Sequence, residues 1–595
     1  MTCLAMVLLA LLPQIHLWIV RGRDWNGAYV SPQGDEPLYS AYVNALIDGR
    51  TRRNDPFAAR DDSTAAPLPE STFSIQFIPA YAIALPARTL HVSASTAFIV
   101  LAGVASLLAS ISIFWLLNCL VGDNLLASAG TMFVLCLGGA VGTYGVFGTL
   151  LDAVIPALTF LRRYEPAAAF PLFFVFQIFV WYALTRKSKL FVRATTMGAG
   201  LTMGLLVFSY LYLWTAAAAW LACIGSLWLY LRPTDRWKTL GVLSTIGIIT
   251  AFALVPYAYL VSHRASTLDE QHTLIATHRA DLLRLPEVLG AIVIAGLVIG
   301  FFRHKIEHGE PRVIYAGSLA LLPLILFNQQ IVTGKTMQVF HFELFVTNYS
   351  TLVGFLITVT LLWKPFPSRL MMWMGALSLA WGVFAVGLPT RLIFIPEAVA
   401  KDLRIPVLVR LRELSKLDGT LVDLHTKGQS SNLVFSPNLA VTVISPTWTS
   451  QGTLLDIGGV ECGTLSRKER KELFYNHLYY SKVEPEVLRE ALNGKPDHPT
   501  MERYALIVIF GSERVSPALS NNFKPIEPDE IEREVQAYQA YVNSFSRAEA
   551  LKRPITYAVI PVEDNFDFTN LDRWYERDAG ERVGDYTLYR LKSRS

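Results

Sequence analysis

The sequence predicts a polytopic α-helical membrane domain of about 11–13 spans followed by a mixed α/β globular domain. Two observations carry this. Apolar runs of about 17–24 residues recur from Met1 to about Leu388, each long enough to cross a hydrocarbon core of about 30 Å. After Leu388 the composition becomes that of a water-soluble domain, although the whole chain is 52% hydrophobic and only 17% charged. The division is therefore 1–388 for the membrane domain and 389–595 for the globular one, with a long first loop at 21–74.

The candidate spans are 2–20, 75–91, 97–120, 124–144, 145–161, 167–185, 194–212, 213–231, 239–261, 285–302, 313–327, 349–363 and 370–388. The first, "MTCLAMVLLALLPQIHLWIV", lacks a basic leader and a small-x-small cleavage site, so it reads as a retained membrane helix. The second carries two prolines and is open to a re-entrant reading. The fifth holds Asp152 and Pro156, and an acid at membrane depth belongs at an interface or against protein.

Four short basic turns set the orientation: 186–189, 232–238, 303–312 and 364–369. Successive turns are two spans apart, so all four share one side. The positive-inside rule makes that side cytoplasmic. The opposite side then receives the 162–166 and 262–286 loops, the 328–344 loop and the globular domain, with the first loop joining them by parity. The basic residues of that first loop run against the rule and are outvoted by the four short turns.

In the globular domain "NLAVTVISP", "YALIVIF" and "ITYAVIPV" read as strands and "GDYTLYRL" as an edge strand. "SRKERKELFYNHLYYSKVEPEVLREAL" and "PDEIEREVQAYQAYVNSF" read as helices, the first with a serine start signal and the second opening with proline and acids. Of five cysteines, four lie in apolar runs and Cys462 is alone, so no disulfide framework or cysteine zinc site is available in the globular part. A net charge of +4 on 595 residues gives no nucleic-acid surface. Walker, dinucleotide-glycine and Gly-x-Ser-x-Gly patterns are absent from the sequence.

The most informative stretch is "QGDEPLYSAYVNALIDGRTRRNDPF". Leu38, Tyr42, Ala45 and Leu46 share a helical face, which predicts an amphipathic helix lying on the membrane surface. That layout fixes Asp35 and Glu36 near the outer interface, within reach of water and of a lipid headgroup. The same pair also reads as loop charges beside a helix cap.

An acidic pair in the first extracytoplasmic loop of a many-spanning protein resembles the integral-membrane glycosyltransferases of the GT-C type. In that family the loop carries a modified Asp-x-Asp motif, one form of which is Asp-Glu-x, here Asp35-Glu36-Pro37. Juxtamembrane helices in that loop and a C-terminal extracytoplasmic domain belong to the same layout. The likeness covers residues 1 to about 388 in layout, while the motif is three residues long. It implies a bacterial hexosyl- or pentosyltransferase of the cytoplasmic membrane, taking a polyprenyl-phosphate sugar as its lipid-linked donor.

Sugar transfer from a lipid phosphate needs a base for the acceptor hydroxyl, and a carboxylate within hydrogen-bond reach serves. Two adjacent carboxylates oppose each other's ionisation, so Asp35 and Glu36 are also read as ligands for a divalent cation: magnesium, manganese or calcium. Arg162 and Arg163, just outside a span on the same side, suit bidentate phosphate binding as well as interface anchoring. "NQQIVTGKTMQVFHFE" crowds Asn328, Gln329, Lys335, His341 and Glu343 into one polar link. It resembles an Asn-Gln-x-x-x-Thr-Gly loop of bacterial membrane proteins of this kind. Its amides suit a sugar site, Lys335 or His341 a phosphate, and a capped surface loop is the alternative. The histidines of 262–286 match no zinc spacing. A non-catalytic transporter, flippase or assembly factor for lipid-linked polymers is the second reading. The near absence of acids in the spans and of a duplicated half weighs against transport.

Overall fold

The computed structural model describes residues 1–32, 34–142, 164, 166–271, 277–363, 365–417, 433–455, 463–494, 499–515 and 523–594. The 145–161 span with Asp152 and Pro156, together with Arg162, Arg163, His272 and Cys462, lies outside these residues.

In chain order the helices are α1 (Thr2–Arg21), α2 (Glu36–Ile47), α3 (Phe77–Thr89), α4 (Ala94–Val121), α5 (Asn124–Val141), α6 (Phe170–Thr185), α7 (Lys189–Val207), α8 (Leu211–Leu231) and α9 (Arg236–Ser262). There follow α10 (Leu285–Phe302), α11 (Pro311–Phe327), α12 (Asn348–Leu362), α13 (Ser368–Pro389), α14 (Ile395–Asp402) and α15 (Ile405–Leu417). Among the described residues ten helical segments are long and apolar enough to cross a membrane, and α6 is a shorter apolar helix of 16 residues.

Hydrogen bonds identify the two ends of this bundle. Lys238 Nζ donates to the carbonyls of Leu184 and Arg186 at 2.7 and 2.8 Å, Arg232 to that of Gly309 at 3.0 Å, and Lys305 to that of Leu362 at 2.9 Å. The basic turns thus sit together at one end, as their spacing predicts. Several of their cations close helix C-termini, whose last carbonyls lack intrahelical partners. At the other end the Ile78 amide donates to the Phe208 carbonyl, Glu70 pairs with the 263–265 backbone, and Thr267 Oγ1 donates to the Gly463 carbonyl.

Helix α3 corrects one expected span. It has 13 residues, about 20 Å of rise, which is short of a hydrocarbon core. Both its ends lie at the second end of the bundle: Ile78 meets Phe208, and just beyond its C-terminus Ser95 donates to the Gly27 carbonyl. The segment 75–91 begins and ends on one side and does not cross.

Helix α2 forms where the helical spacing places it, but it does not lie exposed on a surface. Every residue from Glu36 to Leu46 is buried, because α3 and α4 cover one side and the later α16 (Leu439–Trp448) covers another. "LYSAYVNALI" is apolar nearly all round, the property of an enclosed helix rather than an interfacial one.

The C-terminal region is mixed α/β, with strands β1 (Leu433–Phe435), β2 (Gly452–Thr453), β3 (Ile555–Pro561), β4 (Tyr575–Arg577), β5 (Glu581–Val583) and β6 (Tyr586–Ser593). The order is β2-β1-β3-β6-β4, with β5 also on β6; β1 runs parallel to β2 and β3, and β6 antiparallel to its neighbours. "GDYTLYRL" is therefore a central strand and not an edge. Its alternation reports one buried face, which either position satisfies. "NLAVTVISP" is helix α16, because the Asn438 side chain caps it by accepting from the Ala440 and Val441 amides, overriding its β-branched composition. "YALIVIF" belongs to the helix Pro499–Phe510. The long helical stretch is two helices, Arg467–Tyr480 behind a Ser466 capping box and Pro485–Leu492.

Candidate active site between bundle and C-terminal region

Asp35 is the N-cap of α2, and Glu36 and Pro37 form its first turn. Proline is tolerated there because first-turn amides have no intrahelical partner, and acids there complement the helix dipole. The two carboxylates differ in setting. Asp35 is partly exposed and accepts from Tyr39 Oη at 3.4 Å, while Glu36 is 0% exposed. Tyr39 stacks on buried Tyr164 at 4.8 Å and meets Phe73 edge-on at 5.6 Å, which fixes the first turn from one side.

A buried carboxylate is costly unless charge and hydrogen bonds answer it. Lys401 on α14 brings a buried ammonium into the neighbourhood of Glu36. Its ammonium donates to Ser31 Oγ at 2.6 Å. Burial pushes this lysine below its usual range, and the nearby carboxylates of Glu397 and Glu36 act in the opposite direction. Ser31, Pro37 and Lys401 line a cavity of about 30 Å³ with Tyr29 and Trp448. That volume holds a water or two.

The rest of the first loop is built into the fold. Arg50 pairs with Asp61 at 2.8 Å, Arg52 binds both oxygens of Glu70 at 2.7 Å, and Arg53 pairs with Asp62 at 2.5 Å. The loop then docks on the C-terminal region. Asp55 Oδ2 accepts from the Thr464 amide and hydroxyl at 2.7 and 2.9 Å, the Thr453 amide donates to the Phe57 carbonyl at 2.8 Å, and Arg60 pairs with Glu469 at 2.9 Å. Arg412 on α15 clamps α2 from above, bonding to Asp48, to Asn44 Oδ1 at 3.1 Å and to the Trp448 carbonyl at 3.1 Å.

The polar link of the sequence forms a second cluster at the same end of the bundle. Asn328 exchanges hydrogen bonds with the Asp281 backbone at 2.9 and 3.0 Å and donates to Glu287 at 3.1 Å. Gln329 donates to the Lys335 carbonyl at 3.0 Å, and the Lys335 side chain is exposed. His341 stacks on Tyr212 at 4.3 Å. Glu343 is buried, opens a π-helical turn and pairs with Arg284 at 2.6 Å. None of these residues lines the cavity beside Lys401.

Sequence reasoning passed over Lys401, Ser31 and Arg412. The available signal was "PEAVAKDLR", a mixed-charge helix immediately after the last apolar run. Among the described residues no group of three His, Cys, Asp or Glu side chains is placed to hold a metal ion.

No protein-family model matches the sequence, and no curated protein does. Among solved structures, the chain is similar to the crystal structure of ArnT from Cupriavidus metallidurans in the apo state, at 13% identity and a TM-score of 0.40, over 98% of this chain and 97% of that one. A superposition that loose assigns no family.

Proposed function

We propose that the chain is a multi-pass glycosyltransferase of the GT-C kind, moving a sugar from a polyprenyl-phosphate donor to an acceptor on the outer side of the cytoplasmic membrane. The observation that carries this reading is the pair at the head of α2: a partly exposed Asp35 beside a fully buried Glu36, next to the small cavity that Ser31, Pro37 and Lys401 line. The positive-inside rule supports the orientation, since the basic turns occupy the opposite end from α2 and the C-terminal region.

In this reading Asp35, the less buried of the pair, is the base. It takes the proton of the acceptor hydroxyl as that oxygen attacks the anomeric carbon from the face opposite the phosphate. The bond from that carbon to the phosphate oxygen breaks, the phosphate leaves with the electron pair, and the configuration inverts. Lys401, bonded to Ser31, stands behind the first turn of α2. Arg162 and Arg163 hold the leaving phosphate, bidentate geometry being their advantage over lysine. Asn328, Gln329, Lys335, His341 and Glu343 belong to the headgroup side of the donor.

The test is transfer by purified protein from labelled polyprenyl-phosphate sugars, comparing the parent with Asp35→Asn and Glu36→Gln. The expected result is a loss of about tenfold or more in kcat for Asp35→Asn. Full transfer by both variants refutes the base assignment.

A further inference from the structure

Two loops at the end of the bundle that carries α2 are fastened to each other. The Thr277 amide donates to the Gly334 carbonyl at 3.0 Å, Gln330 Nε2 to the Arg279 carbonyl at 3.0 Å, and the Asp281 amide to Asn328 Oδ1 at 2.9 Å. These bonds occupy the polar groups on the inside of the pair. The outside is apolar: Leu283 is 87% exposed, Val332 88%, Leu282 58% and Ile331 47%. Four large apolar side chains exposed on two loops that are bonded to each other mark an interaction site.

Two features indicate which partner. The patch begins where α11 ends and stops where α10 begins, and it continues into the exposed apolar stripe of α10 formed by Leu285, Val288 and Ile292. In a bundle of membrane-length helices that stripe faces lipid. Beside the patch, Arg279 and Lys335 are exposed, and neither side chain has an ion-pair or hydrogen-bond partner among the described residues. Apolar side chains flanked by unanswered cations match a bilayer surface, whose phosphates lie just outside the hydrocarbon.

We infer that this loop pair is a lipid-docking surface: Leu282, Leu283, Ile331 and Val332 enter the edge of the hydrocarbon, and Arg279 and Lys335 hold the phosphates of anionic phospholipids. The inference shares Lys335 with the donor side of the proposed reaction, but its test reads lipid adducts and needs no transfer.

The full chain in nanodiscs of mixed phosphatidylglycerol and phosphatidylcholine tests it. With the photo-crosslinking residue p-benzoylphenylalanine in place of Leu283 or Val332, illumination is expected to give lipid adducts by mass. The same residue in place of Val487, exposed in the C-terminal region, is expected to give none. Absence of lipid adducts at Leu283 and Val332, or equal adducts at Val487, overturns the docking surface. Adding Arg279→Gln and Lys335→Gln is expected to lower the phosphatidylglycerol share of the adducts at least threefold. An unchanged share overturns the headgroup assignment.

Discussion

The Arg21 guanidinium lies 2.8 Å from a carboxylate oxygen of Asp402, a residue 381 positions later in the chain. The same carboxylate accepts from the Asn26 and Ala28 amides at 3.0 and 3.1 Å and is fully buried. It fastens the exit of the first membrane helix to the segment that follows the last, one residue from Lys401. Removing one partner of a buried pair strands the others, a cost of about 3–5 kcal/mol. Asp402→Ala is therefore expected to lower the Tm of the detergent-solubilised protein by several degrees, and Asp402→Asn by less. An unchanged Tm for Asp402→Ala contradicts the fastening.

Gly452 on β2 faces the first loop. A Cβ there would sit 2.4 Å from the Phe57 carbonyl oxygen and 2.7 Å from the Ala59 amide nitrogen. Both are backbone atoms already held by the loop's docking, so neither gives way cheaply. Gly452→Ala is expected to cost about 1–3 kcal/mol through overpacking. The loop near Ala58 is expected to become sensitive to limited proteolysis. Equal cleavage rates in parent and variant would show that the contact is dispensable.

His477 is buried in the C-terminal region against Phe435, at 5.6 Å between rings, and burial pushes its imidazole down to about 4 from 6.5. Between those values the unfolded chain binds a proton that the folded chain refuses. Stability therefore rises with pH across this window and falls as pH drops from about 6.5 towards 4, by about 3 kcal/mol in full. His477→Phe is expected to flatten that part of the slope of Tm against pH. A slope equal to the parent's would refute the assignment.

Orientation is open to a direct measurement. A reporter active only outside the cytoplasm is expected to work after Ser595 and to fail in the 232–238 turn. The reverse pattern would invert the topology, and the side on which the proposed reaction occurs with it.

Much of the helical layout was legible because crossing a bilayer demands long apolar runs, and the four basic turns sort into one end by parity alone. Among the described residues the exception was 75–91, whose apolar composition is sufficient for a span while its 13-residue helix is too short. In the C-terminal region β-branched runs suggested strands at α16 and at Pro499–Phe510, where capping and packing decided for helix. Asp35 and Glu36 stood out as charges beside an apolar run. Their surroundings did not, because Lys401, Arg412 and Trp448 come from far along the chain and no local pattern names a partner at that distance.

The helix that Asp35 and Glu36 head is covered by residues made very late. Asn44 Nδ2 donates to the carbonyls of Pro446 and Thr449, 402 and 405 positions downstream. At about 5–20 residues per second the ribosome needs roughly 20–80 s to supply them. Through that interval α2 waits with one flank bare. The cover of this early helix is therefore supplied only once about three quarters of the chain has been made.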